Sequence, residues 1–481
     1  MNNAIFIGID VGTQGVRVLL VDEEGNTIES SERKTDLTSD FRTAQNPDLW
    51  WDGVMACLDE VFQQLDPIKK KDIIAVSVTS TSGTVIPLDN QNRPLNPAIM
   101  YSDTRQADEG KRCKEIAIRH RIEGYTAFNS SSGLPKMVWF VERFPEKARQ
   151  ISTWVHATDY MIGKLSGHFR ISDHTNVLKS GYDLIHHRWP EYITSELPIE
   201  KEWLQEVVAP GTVIGYLNPD LRSRWNLPEI KVVAGMTDGC ASQVASGGVK
   251  PGDWNTTIGT TLVVKGVTMK EIKDPQGRLY SHLHPQGYWM PGGASNTGAD
   301  WVSQDFKGEN LNFLNDQADH ITPSGFLVYP LKQEGERFPF ISPMARGFTD
   351  KRIQTREELY TAGLEGVAYL EKLSYEIIKE LSGENIEAVY SSGGGNNSRT
   401  WMKIRASVLN LPIYQSSQAS GALGAAIVAA SQTFFSNLTE AATSMTNLEH
   451  CFEPEEELLA PYEEGYQSFI IELKNRGYLT I

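Results

Sequence analysis

Asp10, Gly12, Thr13 and Gln14 stand close together in the run IFIGIDVGTQGVRVLLVD, residues 5–22. An apolar strand ends near the acid, a polar turn follows, and a second apolar strand covers 16–21. Glycine in such a turn lets backbone N–H groups approach an anion, and Thr and Gln add side-chain donors. An aspartate at the end of the first strand can hold a hydrated cation. The combination suits a nucleotide polyphosphate with its Mg2+, and an ordinary hairpin is the alternative for the turn taken alone.

A second stretch repeats the plan. In WNTTIGTTLVVKGV, residues 254–267, a β-branched run leads to Gly259-Thr260-Thr261 and then to Leu262-Val263-Val264. It begins just past the midpoint of the 481-residue chain. Two strand–turn–strand units, one opening each half, predict two related lobes, 1–245 and 246–481, that clamp one phosphate chain.

Other candidates lie at strand ends. The strand 73–78 runs into Thr79-Ser80-Thr81-Ser82-Gly83-Thr84, and small hydroxyl residues at the carboxyl edge of a strand are where open α/β sheets bind ligands. A solvated Ser/Thr loop is the alternative. Asp103 either accepts hydrogen bonds from sugar hydroxyls or pairs with Arg105. Asp238, in GMTDGC at the end of the strand expected near 231–239, is either a helix cap or a general base held by a rigid element. The strand 388–392 leads to Gly393-Gly394-Gly395-Asn396-Asn397, where glycines leave room for a flat adenine ring.

These residues need elements to position them. Asn46-Pro47 reads as a helix start, and Trp50, Val54, Leu58, Val61 and Leu65 recur at helical spacing as a core face. Residues 130–143 form a loop entering a helix, 154–165 an amphipathic helix, 359–381 a long core helix, and 421–430 a closely packed Ala/Gly helix. The polar stretch 184–227 reads as an insertion or lid of the first lobe.

Composition narrows the function classes. A formal net charge of −16 argues against a nucleic-acid or anionic-membrane surface, which needs clustered Lys and Arg. Cys57, Cys113, Cys240 and Cys451 are scattered, without metal-ligand spacing, and fit a reducing compartment. The opening MNNAIFIGID lacks the basic start of a leader, and no apolar run approaches the roughly 20 residues of a membrane helix. The expected location is the cytoplasm. Trp189, Trp203 and Trp225 leave a homodimer open.

The chain resembles the FGGY carbohydrate kinases of the actin/hexokinase/Hsp70-type ATPase superfamily. The resemblance rests on GIDVGTQGVRVLLVD, GMTDGC, IGTTLVVK, GLEGVAYLEKLSYE and SSGGGNNSRTW, in the family's order and over nearly the whole chain. It implies an α/β fold of two ribonuclease-H-like lobes, with sugar and Mg·ATP in a central cleft. By the same resemblance Asp10 would hold the metal and approach the sugar, and Asp238 would be the catalytic base beside it. Gly12, Thr13, Gln14, Gly259, Thr260 and Thr261 would hold the phosphates, and Gly394, Gly395 and Asn397 would line the adenine site. Ser82 and Gly83 lie in the sugar-facing loop, with Asp103 nearby.

Lys136-Met137-Val138-Trp139 fits the core of the family's first fingerprint, whereas Gly133 and Arg143 depart from it. The loop Ser80-Thr81-Ser82-Gly83-Thr84 is neither the Gln-Met-His-Gly of typical xylulokinases nor the Arg-Glu of glycerol kinases. Together with NVLKSGY (176–182) and GERFP (335–339) it looks most like the D-ribulokinase/xylulose-kinase-like subgroup. The expected reaction is phosphorylation of the terminal hydroxyl of a pentulose, D-ribulose first. D-Xylulose, L-ribulose, ribitol and glycerol are the alternatives, and a non-kinase ATPase of the same superfamily is the remote one.

Overall fold

A computed structural model describes residues 4–35, 40–416 and 418–479. The chain forms two compact units. The first takes residues 1–245, 285–287 and 418–446, and the second takes 246–284, 288–417 and 447–481.

The first unit is built on a mixed sheet. Its strands are β1 (Ile5–Gly12), β2 (Gly15–Asp22), β3 (Thr27–Lys34), β4 (Ile73–Ser80), β5 (Val213–Tyr216), β6 (Lys231–Val233) and the short β7 (Met236–Thr237). They lie in the order β5-β6-β4-β1-β2-β3, and β7 also pairs with β4. β1 and β2 are antiparallel, as are β2 and β3, whereas β4 runs parallel to β1, β6 and β7. The helix Pro47–Gln64 starts where Asn46-Pro47 indicates, with the Asn46 side chain accepting from the Asp48 amide. It buries Trp50, Val54, Leu58 and Val61 in the sheet core.

The second unit repeats this arrangement. Its strands are β8 (Asp253–Ile258), β9 (Leu262–Gly266), β10 (Tyr280–Leu283), β11 (Trp289–Ala294), β12 (Ala388–Ser392), β13 (Ile413–Ser416) and β14 (Leu448–Phe452). Their order is β10-β11-β9-β8-β12-β13-β14. β8 pairs antiparallel with β9, β9 with β11, and β13 with β14, while β8–β12 and β12–β13 are parallel. This is the succession of the first sheet, so the repeat heard in the two Gly-Thr turns extends to whole sheets. The long helix Arg356–Ser382 contributes Tyr360, Leu364, Val367 and Leu370 to the second unit's core, and Tyr375 reaches the sheet through a hydrogen bond with the Thr256 hydroxyl (2.6 Å).

In three stretches the structure goes beyond the sequence reading. The segment expected as a helix from 154 opens as the strand Thr153–His156, paired with Val85–Leu88, and the helix is Ala157–Ser166. Thr-Trp-Val is β-branched and aromatic and suits a strand, and Asp159 accepts from the His156 amide (2.8 Å) to start the helix there. Region 184–227 is part of the first unit's packing: Trp189 and Trp203 lie against the cluster around Phe140, Trp154 and Tyr192, and Trp225 meets Phe62 at 5.0 Å. The helix Gly421–Ala430, late in the chain, belongs to the first unit. Its small residues allow this: a Cβ on Gly8 would lie 1.8 Å from the Ala422 carbonyl, and one on Gly424 would lie 2.0 Å from that of Ala241.

Candidate active site

β4 gathers the acids. Its register sets Thr79 opposite Asp10 and Ser80 opposite Val11 on one side, and Ser80 opposite Thr237 on the other. Asp10 near the end of β1, Asp238 directly after β7, and the loop 81–84 directly after β4 therefore lie at the same edge of three adjacent parallel strands. This is the carboxyl edge at which α/β sheets bind ligands. Hydroxyls tie the strand ends: Thr79 Oγ1 donates to the Met236 carbonyl (2.8 Å), and Ser80 Oγ bonds Thr158 Oγ1 (2.7 Å).

Burial pushes the Asp10 carboxyl up to about 7, and the nearby charge of Asp238 adds to the shift. Two neighbouring carboxylates disfavour each other's ionisation, and a cation between them relieves the repulsion. Gly421 presses on the same carboxyl: a Cβ there would lie 2.7 Å from Asp10 Oδ2 and 2.9 Å from its Cγ. Only glycine leaves the acid its place. Asp238 itself is the first residue of the helix Asp238–Ser246, with Oδ1 accepting from the Gly239 amide (2.6 Å).

The first Gly-Thr turn is a tight hairpin in which Gly12 pairs with Gly15 across Thr13 and Gln14. It is braced from below. Gln45 Nε2 donates to the carbonyls of Thr13 and Phe41, both at 3.1 Å, and Gln45 Oε1 accepts from Trp50 Nε1 at 2.7 Å. A cavity of about 500 Å³ opens over the turn, lined by Asp10, residues 12–17, Glu32, Lys34 and Thr35. Arg17 and Lys34 bring positive charge to it, and Arg17 Nε is held by Glu32 at 3.1 Å. Turn amides, hydroxyls and cations around one cavity can bind a polyphosphate. Arg17 was not singled out from the sequence. The signal was available, because a two-residue turn closed by Gly12 and Gly15 sets Arg17 opposite Asp10.

The loop 81–84 holds Thr81 Oγ1 against Thr84 Oγ1 (2.9 Å) and buries Ser82 Oγ with no hydrogen-bond partner. Gly83 turns the chain at φ +84°, where a Cβ would strike the Ser131 carbonyl at 2.3 Å. A buried hydroxyl without a partner is costly, and a polyol ligand would supply one. Asp103 is different. It is fully buried, Oδ1 accepts from the Arg105 amide and Nε, and Oδ2 accepts from Arg105 Nη2 (2.6 Å) and Gln106 Nε2 (2.9 Å). Burial works against its ionisation, but these bonds outweigh it and hold the carboxyl below the usual range. Of the two sequence readings of Asp103, the structure builds the ion pair. Lys136 is also buried, donating to the carbonyls of Ser130 and Ser132, and desolvation brings its ammonium down to about 7.

In the second unit the turn 259–261 is a three-residue hairpin between β8 and β9, in which Ile258 pairs with Leu262. The segment 295–300 clasps it: the Thr297 carbonyl accepts from the Leu262 amide (2.9 Å), and the Ala299 amide donates to the Gly259 carbonyl (2.7 Å). Glu336, in the GERFP run, fixes that segment through the Ser295 and Thr297 hydroxyls (2.8 and 3.0 Å) and the Asn296 amide (2.7 Å). β12 lies parallel to β8 with Thr257 opposite Ser392, so the loop 393–397 leaves the sheet beside the turn. Gly394 and Asn397 are exposed there, and a Cβ on Gly394 would meet nothing within 4 Å. Gly395 is buried, and a Cβ on it would lie 2.9 Å from Ile258 Cβ. It sets the packing of the loop, while Gly394 and Asn397 offer the open face.

Among the described residues no group of three or more His, Cys, Asp or Glu side chains could hold a metal alone. A cation at Asp10 would need further ligands from a bound molecule, as a nucleotide's phosphates provide.

Known proteins share this plan. The model of the FGGY family of carbohydrate kinases matches in both its N-terminal domain, over residues 5–245, and its C-terminal domain, over 254–433. The gluconokinase of Bacillus licheniformis is 25% identical, covering 96% of this chain and 94% of that protein. The xylulose kinase of Lactococcus lactis subsp. lactis is 26% identical, covering 98% and 97%. The crystal structure of a xyloylose kinase from Brucella ovis superposes with a TM-score of 0.88 over 99% of this chain and 100% of that one, at 24% identity, a likeness of fold. With both domain models matched in order over most of its length, the chain belongs to the FGGY family of carbohydrate kinases and is an ATP-dependent sugar kinase.

Proposed function

We propose that the protein transfers the γ-phosphoryl group of Mg·ATP to the terminal hydroxyl of a pentulose, with D-ribulose as the preferred acceptor. The observation that carries this reading is the meeting of Asp10, Asp238 and the Ser82 loop at one sheet edge, with the Ser82 hydroxyl buried and unpartnered. The loop's sequence supports D-ribulose through its likeness to the D-ribulokinase-like subgroup. D-Xylulose is the second reading, favoured by the xylulose kinases among the relatives.

In this mechanism Asp238 accepts the proton of the attacking hydroxyl as the bond to phosphorus forms. A positioned base contributes ~10²–10⁴-fold. Phosphoryl transfer otherwise depends on positioning and on neutralising charge at the phosphate oxygens. Thr13, Gln14 and the turn amides, with Gly12 giving access, serve those oxygens in the first unit. Gly259, Thr260 and Thr261 have the same task in the second unit, where Gly394 and Asn397 take the adenine. Asp10 would hold the divalent cation that travels with the nucleotide and supplies charge neutralisation. Ser82 and Gly83 hold the sugar. No helix among the described residues is long and apolar enough to cross a membrane, and the cytoplasm is the proposed location.

The test is ADP release with Mg·ATP against D-ribulose, D-xylulose, L-ribulose, ribitol and glycerol, for the wild type and for Asp238→Asn and Ser82→Ala. The reading expects D-ribulose to give the highest kcat/KM. It further expects Asp238→Asn to lose at least ~10²-fold in kcat, and Ser82→Ala to raise the acceptor KM. A higher kcat/KM for another acceptor would replace D-ribulose, and wild-type turnover in Asp238→Asn would remove it as base.

A further inference from the structure

We propose that Asp173 and Thr175 are positioning residues for Asp238, acting through the backbone amide of Thr237; the inference rests on the reading of Asp238 as general base.

Asp173 ends the strand Ile171–Asp173 and caps the helix His174–Val177. It is only 1% exposed. Its Oδ1 accepts from the Thr175 amide (2.8 Å), the Asn176 amide (3.2 Å) and Thr175 Oγ1 (2.6 Å), and Oδ2 accepts from Asn176 Nδ2 (2.6 Å). A threonine hydroxyl has one proton. That of Thr175 is committed to Asp173, so its lone pairs face outward, and one receives the Thr237 N–H at 2.9 Å. A hydroxyl donating to a carboxylate is polarised and becomes a better acceptor, which stiffens the second bond.

The anchored amide lies at a sensitive place. β7 has two residues, Met236 and Thr237, and among the described residues pairs only with β4. The next residue is Asp238. A strand this short gives little of its own rigidity to the acid it presents, and the Thr175 hydroxyl adds a fixed point from a distant part of the chain. Thr175 is fully buried and lies in the helix His174–Val177, which touches β7. Its influence on the reacting groups runs through Thr237.

The exchange Thr175→Val keeps the volume and removes both hydroxyl bonds, whereas Thr175→Ser keeps them. The test compares kcat, the KM for acceptor and for ATP, and the unfolding midpoint in the wild type, Thr175→Val, Thr175→Ser and Asp238→Asn, with rates taken per folded molecule. Thr175→Val is expected to lose on the order of tenfold in kcat, because a small displacement of a base costs that much, while both KM values stay within about twofold. Thr175→Ser is expected to restore kcat. If Thr175→Val does not fold, Thr175→Ala carries the same expectation. An inactive Asp238→Asn beside a Thr175→Val enzyme of wild-type kcat would overturn the relay and leave the base reading standing. A Thr175→Ser enzyme as impaired as Thr175→Val would also overturn it, since packing and not the hydroxyl would then matter. A fully active Asp238→Asn enzyme would overturn the base reading and the relay with it.

Discussion

The contact between Gly421 and Asp10 allows activity to be separated from stability by one methyl group. Gly421→Ala would put a Cβ 2.7 Å from Asp10 Oδ2, 2.9 Å from Cγ and 3.2 Å from Oδ1. An ordinary contact of a methyl carbon with such atoms is roughly 3.5 Å, so the carboxyl must yield by about 0.5–0.8 Å. The nearest atoms belong to the free end of a side chain, and a rotation of Asp10 relieves the overlap with little cost to the fold. Alanine at the start of the helix Gly421–Ala430 is also favoured over glycine, by up to ~1 kcal/mol in a helix interior. The unfolding midpoint should therefore be unchanged or slightly raised. Misplacing a catalytic group by 1 Å costs ~10²-fold, so the expected loss in kcat is on the order of tenfold or more. The assay is coupled ADP release with saturating Mg·ATP and acceptor, beside a thermal melt of the same preparation. Gly424→Ala is the contrasting variant: its Cβ would meet the Ala241 backbone at 2.0 Å, which cannot rotate away, and the melt should drop. A Gly421→Ala enzyme with wild-type kcat and an unchanged melt would refute the placement of the Asp10 carboxyl in the chemistry.

Three further expectations follow from the same geometry. Asp10 is held protonated up to about 7 in the fold, against 3.8 for the free side chain, so the folded state binds the extra proton between these values and loses stability as pH rises through them. Asp10→Asn removes this penalty, and its stability advantage over the wild type should widen by on the order of 1–2 kcal/mol between pH 5 and 8 in urea unfolding without nucleotide; a constant difference would contradict the shift. Arg405 and Glu371 are both fully buried and joined by bonds of 2.7 and 2.8 Å, so Glu371→Gln leaves a guanidinium charge uncompensated and should destabilise the protein by about 3–5 kcal/mol in a denaturant titration. Gln45→Leu takes away the brace beneath Thr13 and should raise the KM for ATP several-fold with the acceptor KM unchanged, read by initial rates at varied ATP; equal effects on both substrates would argue against a phosphate role for that turn.

Much of this protein is legible in its residues. The hairpins at Gly12 and Gly259, the helix begun by Asn46-Pro47 and the helix Gly421–Ala430 follow from turn chemistry, caps and apolar spacing, all of which act over a few residues. The doubled Gly-Thr turn even announced the repeated sheet. What the residues left open were choices between partners far apart in the chain. Asp103 could face a sugar or Arg105, and only burial with Arg105 and Gln106 settled the ion pair. Gly395 read like Gly394 until packing on Ile258 told them apart. The helix Gly421–Ala430 was visible as a helix, but its place against Asp10 depends on glycines on facing elements. Likewise nothing local in Asp173-His174-Thr175 points to Thr237, which it meets because the helix His174–Val177 packs against the short strand β7. Local sequence determines which backbone shapes are cheap, whereas a buried polar group's partner is selected by exclusion from water, and that selection is made only when the chain closes on itself.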